Sequence, residues 1–341
     1  MPSQPPLALF VGIPNPSLSP DEIALFRETN PFGLFVGRRN LRTPDQAKAL
    51  ITSFREAVGR DDAPVFTDQE GGRVQHLDAG PWPSFRSFGQ FAELARHDLD
   101  LAKKALRLSS RAMGTMMSKL GLTSGCSPVL DLVFPTTSAV IGARSFGHDP
   151  ELIAILGREV VGGLLETGNM PVMKHIPGHG RATLDSHKER PFVDASRETL
   201  LATDFKPFID LKDTPWAMVA HVVYSACDKE NPASVSPVIH DVIRNDIGYE
   251  GVLVSDCIFM NALQGTLPER VMQVLDAGYD IALHSHGDLT ESEAAAKAAR
   301  PLSDQAIRRI DAAKARLGSQ SVDVVEAHAE VENMFASALV S

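Results

Sequence analysis

The 341 residues carry 33 Lys and Arg against 43 Asp and Glu, a formal charge of −10 with the cations scattered, which argues against a nucleic-acid partner. Three widely spaced cysteines, Cys126, Cys227 and Cys257, fit neither a disulfide framework nor structural zinc, and point to a reducing, cytoplasmic setting. No stretch approaches the roughly 20 apolar residues of a bilayer span, and Met1 to Pro6 lacks the basic flank of a signal peptide, so no membrane association is expected.

Short apolar runs alternate with helical patterns along the chain. The runs are 7–13, 33–36, 64–67, 122–128, 171–173, 217–220, 252–254 and 281–283. Between and after them, helices are predicted over 20–29, 43–58, 98–119, 150–167, 196–211, 236–246, 267–277 and 288–299, several opened by a capping Ser, Thr or Asp. Eight such units are the rhythm of a parallel α/β fold, and the length suits a single-domain (β/α)8 TIM-type barrel. The predicted layout is a catalytic barrel over 1–302, with C-terminal helices at 304–317 and 322–339 packed on its outside within 303–341. Residues 76–98, with Pro81, Pro83 and several Phe, read as a surface loop packed against the barrel. A monomer is expected.

The residues at the end of each run are more informative than the number of runs. Run three leads into Asp68, Gln69, Glu70 and Arg73, run four into Asp131, and run five into Lys174 and His175. Run six leads into His221, run seven into Asp256, and run eight into His284 and His286. In a β/α barrel these carboxyl ends gather on the face where active sites lie. One Asp after a strand is ordinarily the N-cap of the next helix. Six strand ends behaving alike predict a polar pocket instead.

The stretch 174–191 is the densest of these. Lys174-His-Ile-Pro-Gly-His-Gly180 breaks both helix and strand, and a second polar cluster, Asp185-Ser-His187, lies just beyond it. Read as residue types alone, it is either a solvated loop with an Asx turn at Asp185 or a catalytic loop.

Five segments occur in order: Asp68-Gln-Glu-Gly-Gly-Arg73, Ile141-Gly-Ala-Arg-Ser-Phe146, Lys174 to Gly180 with Asp185-Ser-His187, Ala220-His-Val-Val-Tyr-Ser225, and Val254-Ser-Asp256. Together they resemble glycoside hydrolase family 3, in its bacterial single-domain β-N-acetylhexosaminidase branch. The resemblance implies a retaining exo-β-N-acetylglucosaminidase, with Asp256 as nucleophile, His187 as acid and then base, and Asp185 orienting His187. It assigns sugar binding to Asp68, Arg144, Lys174 and His175, with Arg73 and His221 as neighbours, and leaves His179 to hold the loop. It implies no metal and no cofactor. The implied substrate is a small carbohydrate or muropeptide in which terminal N-acetylglucosamine is linked to an anhydro-N-acetylmuramic acid peptide, as in cell-wall recycling.

The implied chemistry is physically coherent. An imidazole with an ordinary pKa of about 6.5 both gives and takes a proton near neutrality, and a neighbouring carboxylate fixes its tautomer. Retention requires a nucleophile on one face of the sugar and an acid/base on the other. The loop must close to bring His187 to the substrate, with Gly178 and Gly180 as candidate hinges. Three other readings remain open: a β-N-acetylglucosaminide phosphorylase using the same pair, a metal-dependent hydrolase built on His284-x-His286, and a non-catalytic sugar-binding barrel. Cys257 after the nucleophile and the His284-Ser-His286 ending are departures from the pattern.

Overall fold

A computed structural model describes residues 5–78, 80–186 and 189–338. Its strands are β1 (Leu7–Gly12), β2 (Pro31–Phe35), β3 (Val65–Phe66), β4 (Gln69–Gly71), β5 (Val74–Gln75), β6 (Val172–Ile176), β7 (Phe192–Val193), β8 (Trp216–Val219), β9 (Val223–Tyr224), β10 (Val252–Cys257) and β11 (Ile281–His284). Seven of them form one parallel sheet in the order β3-β2-β1-β11-β10-β8-β6. The remaining four make two small two-stranded ribbons, β4 with β5 and β7 with β9.

The gap between β3 and β6 is closed by residues 123–130. Phe66 bridges Ser124 and Lys174 bridges Val129, both in parallel sense. The Thr67 amide donates to the Ser124 carbonyl at 3.0 Å, the Lys174 amide to the Pro128 carbonyl at 2.9 Å, and the Leu130 amide to the Lys174 carbonyl at 2.7 Å. The ring of strands is therefore complete, as a (β/α)8 barrel requires. The run at 122–128 occupies the fourth place without forming a regular ladder. Pro128 has no N–H to give, and Cys126 sits at φ 45°, which turns the chain out of extended geometry.

Inside the barrel, Phe10, Phe32, Phe66 and Trp216 pack ring on ring, with centroids 4.6 to 6.4 Å apart. Gly33 makes room for them, because a Cβ there would lie 2.3 Å from the Phe10 ring. This apolar plug fills the interior and leaves polar side chains to the carboxyl-terminal rim.

Helix Pro20–Thr29 forms where its caps direct. Ser19 Oγ accepts from the Glu22 amide at 3.2 Å while Glu22 Oε2 accepts from the Ser19 amide at 2.6 Å, and Pro20 sits in the first turn. Elsewhere the sequence pattern is modified. The predicted helix 196–211 is two short ones, Arg197–Ala202 and Lys206–Asp210, and 236–246 is an α turn, Pro237–Asp241, running into a π turn, Val242–Asp246. Within 76–98, where a loop is expected throughout, lies a helix, Phe88–His97, whose Phe88, Phe91, Ala92 and Leu94 are buried. The spacing of those apolar residues is helical, and the prolines that suggest a loop stop short of it.

Helix Asp304–Lys314 packs against β10, and helix Val324–Ala338 against helices Leu99–Leu120 and Phe88–His97. Phe335 meets Phe91 edge-on at 5.2 Å, and Arg86 Nε pairs with Glu332 Oε1 at 2.8 Å. Among the described residues, no helix is long and apolar enough to cross a membrane.

Candidate active site

A cavity of about 370 Å³ opens at the carboxyl ends of the strands, and Asp68, Arg144, Lys174, His175 and Asp256 line it together. Most of them arrive from different strand ends or loops, separated by tens of residues in sequence, because the barrel brings every carboxyl terminus to one rim.

The cationic side is organised by Glu70, which is 1 % exposed. Arg144 grips it with Nε on Oε2 and Nη2 on Oε1, both at 2.8 Å, and Lys174 Nζ lies 2.7 Å from Oε1. Burial pushes the Glu70 carboxyl up, but Arg144 and Lys174 outweigh it and hold it well below the usual carboxylate range. The same contacts act on their partners. Burial lowers the Lys174 ammonium and the Arg144 guanidinium, and the facing carboxylates more than restore both. Lys174 Nζ also donates to Asp68 Oδ1 at 2.7 Å, so two of the three ammonium N–H groups are engaged and one remains for a ligand.

His175 is set by Asp131, which is fully buried behind it. Asp131 Oδ1 accepts from the His175 amide at 3.1 Å and the His179 amide at 2.7 Å, while Oδ2 lies 2.7 Å from His175 Nδ1. Burial raises the Asp131 carboxyl, and His175 outweighs that, so its pKa falls and it stays ionised. A carboxylate can only accept, so Nδ1 carries the proton and Nε2 is the nitrogen left for other contacts. The Lys174–His175 peptide is cis.

The turn 177–180 is anchored on both sides. Tyr224 donates to the Gly178 carbonyl at 2.6 Å, and Thr137 to the Gly180 carbonyl at 2.5 Å. A Cβ on Gly180 would sit 1.9 Å from the Leu132 carbonyl oxygen, so this glycine serves a close backbone approach. Neither contact suits a hinge.

Asp256 lies one residue before the end of β10 at the cavity wall, its Oδ1 accepting from the Cys257 amide at 2.7 Å. Asp185 is half-buried on the loop after Arg181. Its neighbour Ser186 is buried, and the Ser186 carbonyl accepts from the Ala262 amide at 3.2 Å, so this loop rests on the segment just beyond Asp256. His187 lies outside the described residues.

Arg73 and His221 are not among the cavity's lining. Arg73 Nη2 donates to the Ala139, Val140 and Ile141 carbonyls and so holds the approach to the turn that carries Arg144. His221 is buried beneath the rim. Its Nε2 donates to the Cys257 carbonyl at 2.9 Å and its Nδ1 accepts from Ser234 Oγ at 2.5 Å, an arrangement that a neutral ring satisfies. Burial lowers its pKa accordingly. His221 therefore fixes the backbone beside Asp256.

Glu70 and Asp131 organise the site from behind, and the sequence offers only their strand-end positions as a signal. Arg39, Phe259 and His286 line the cavity as well. The two rings of His284-x-His286 lie 6.5 Å apart, and among the described residues no three His, Cys, Asp or Glu side chains converge as metal ligands would.

This polar barrel mouth, with the Asp256 carboxylate at one strand end and Asp68, Arg144, Lys174 and His175 lining the same cavity, has relatives among known proteins. The family model of the glycosyl hydrolase family 3 N-terminal domain matches residues 20–319. The β-hexosaminidase of Alkalilimnicola ehrlichii is 37% identical over 284 residues, spanning 81% of this chain and 79% of that one. The β-hexosaminidase of Actinobacillus pleuropneumoniae is 32% identical over 283 residues, spanning 81% and 80%. The structure of NagZ from Neisseria gonorrhoeae in complex with N-trifluoroacetyl-D-glucosamine superposes with a TM-score of 0.87 at 28% identity, over 98% of this chain and 100% of that one. The molecule is thus a glycoside hydrolase on a (β/α)8 barrel. It belongs to glycosyl hydrolase family 3.

Proposed function

We propose that the chain is a retaining exo-β-N-acetylglucosaminidase that removes terminal N-acetylglucosamine from muropeptides in which it is β-linked to anhydro-N-acetylmuramic acid. Asp256 attacks the anomeric carbon and forms a glycosyl ester. His187, oriented by Asp185, protonates the departing oxygen and then deprotonates the water that cleaves the ester. Across the sugar, Asp68 accepts from hydroxyls, while Lys174, Arg144 and His175 supply the remaining polar contacts.

The observation that carries this reading is the meeting of Asp256 with Asp68, Lys174, Arg144 and His175 in one cavity at the strand ends. A pocket of buried donors and acceptors selects a sugar by leaving groups unpaired when a hydroxyl is missing. The related gonococcal structure holds an N-acylated glucosamine, which supports the acetamido sugar. An imidazole acid/base both gives and takes a proton near neutrality, which suits protonation of the leaving oxygen followed by activation of water.

A proton NMR time course on an aryl N-acetyl-β-glucosaminide, with and without phosphate, tests the proposal. The β-anomer of N-acetylglucosamine should appear first, at a rate indifferent to phosphate. A phosphate-dependent sugar 1-phosphate would make the enzyme a phosphorylase, and release of the α-anomer first would remove the ester intermediate.

A further inference from the structure

The His284-Ser-His286 ending of β11 has no part in the chemistry above, yet His286 faces the same cavity as Asp256. Its ring stacks on Phe259, with centroids 3.9 Å apart and planes at 12°. His286 Nδ1 is held by Glu291 Oε2 at 2.7 Å, and Arg39 Nη2 donates to the His286 carbonyl at 2.7 Å, so the imidazole is fixed by both side chain and backbone. Phe259 is 43 % exposed, an apolar ring presented at the mouth of an otherwise polar cavity.

The position of this pair identifies what it meets. Phe259 lies three residues after Asp256, beside the segment 260–262 where Ser186 docks, with Ser186 Oγ 3.6 Å from Met260 Sδ and the Ser186 carbonyl taking the Ala262 amide. In the reading proposed above, His187, next to Ser186 in sequence, protonates the leaving oxygen, with Asp185 on the other side of Ser186 orienting it. The group attached to that oxygen therefore departs past Phe259.

We propose that the Phe259–His286 stack is a platform for the aglycone, and that it selects leaving groups that are pyranose rings. A pyranoside has a face of C–H bonds that packs against an aromatic ring, burying apolar surface and placing partial positive charge over the ring's negative face. A ring already immobilised by His286 gives this contact with little ordering cost. The inference rests on the placement of the acid/base on the 185–187 loop, and adds to it the class of group on the far side of the scissile bond.

The test compares kcat/KM for N,N′-diacetylchitobiose, whose leaving group is a pyranose, with that for N-acetyl-β-glucosaminyl fluoride, which has no aglycone ring. In Phe259→Ala and Phe259→Leu the chitobiose-to-fluoride ratio should fall about tenfold, and Phe259→Tyr should keep it, because only a ring face stacks. Glu291→Ala, which frees His286, should lower the ratio about threefold. An unchanged ratio in Phe259→Ala, or a leucine variant that keeps the ratio, overturns the platform. A wild-type enzyme active on neither substrate overturns the glycosidase reading and the platform with it, whereas activity on both with an unaltered ratio removes the platform alone.

Discussion

Arg144 and Glu70 meet in a two-pronged pair, Nε to Oε2 and Nη2 to Oε1 at 2.8 Å each, and Lys174 Nζ shares Oε1 of the same carboxylate at 2.7 Å. One buried anion thus holds two cations in place at the cavity wall. Removing the anion leaves Arg144 without its buried counter-charge and Lys174 with Asp68 alone. Glu70→Gln is therefore expected to cost about 3 kcal/mol or more of stability and to raise KM as Arg144 and Lys174 move apart. Urea unfolding measures the first and steady-state kinetics the second; a loss below about 1 kcal/mol would show that the pair is dispensable.

Asp256→Asn keeps the acceptor that the Cys257 amide uses and removes the nucleophilic charge. The melting temperature should hold while kcat on an aryl N-acetyl-β-glucosaminide falls more than about a thousandfold. Substantial residual turnover, with the fold intact by circular dichroism, would move the nucleophile elsewhere.

Leaving-group dependence reports on the acid. A 2,4-dinitrophenolate departs with little protonation, whereas a sugar alkoxide does not depart without it. His187→Ala should therefore lose at least about tenfold more kcat/KM on a disaccharide than on the dinitrophenyl glycoside. Equal losses on the two substrates would argue that His187 binds rather than protonates.

The barrel is legible in the sequence because its strands are short apolar runs and its helices carry their own caps, as at Ser19 and Glu22. The fourth place in the ring is visible as the run 122–128, and its irregular pairing is foreshadowed by Pro128, which cannot donate to a neighbour. The helix Phe88–His97 is hidden by the prolines that precede it. The site is legible as a set of polar strand ends but not as a circuit. Glu70 and Arg144 lie 74 residues apart, and neither announces that the other neutralises it. Arg73 and His221 share the same strand-end signature as Lys174, yet Arg73 Nη2 turns to the Ala139 to Ile141 carbonyls and His221 Nε2 to the Cys257 carbonyl, a distinction that exists only once the chain has folded. Phe259 and His286 are 27 residues apart in sequence and meet only across the barrel rim.

Two of the buried histidines, His179 and His284, add a pH dependence to stability. Burial pushes the His179 and His284 rings down to about 4, against an ordinary value of about 6.5. At that pKa His284 is neutral near pH 7, so its 3.7 Å approach to Glu291 is not an ion pair there, and among the described residues neither of its ring nitrogens has a hydrogen-bond partner. Both groups have depressed pKa values in the folded state. Their stabilising contribution is accordingly present above pH 6.5 and lost as pH falls toward 4, where the unfolded chain binds a proton at each ring and the folded one does not. Over that window each should cost on the order of 3 kcal/mol. Replacing His284 by Leu removes its proton from the balance. Thermal melts between pH 7.5 and 4.5 should show the wild-type protein losing stability steeply below pH 6.5, with the slope in His284→Leu shallower by up to about 1.4 kcal/mol per pH unit. Parallel curves for the two proteins would mean that His284 binds its proton as readily in the folded chain as in the unfolded one, with Glu291 offsetting its burial.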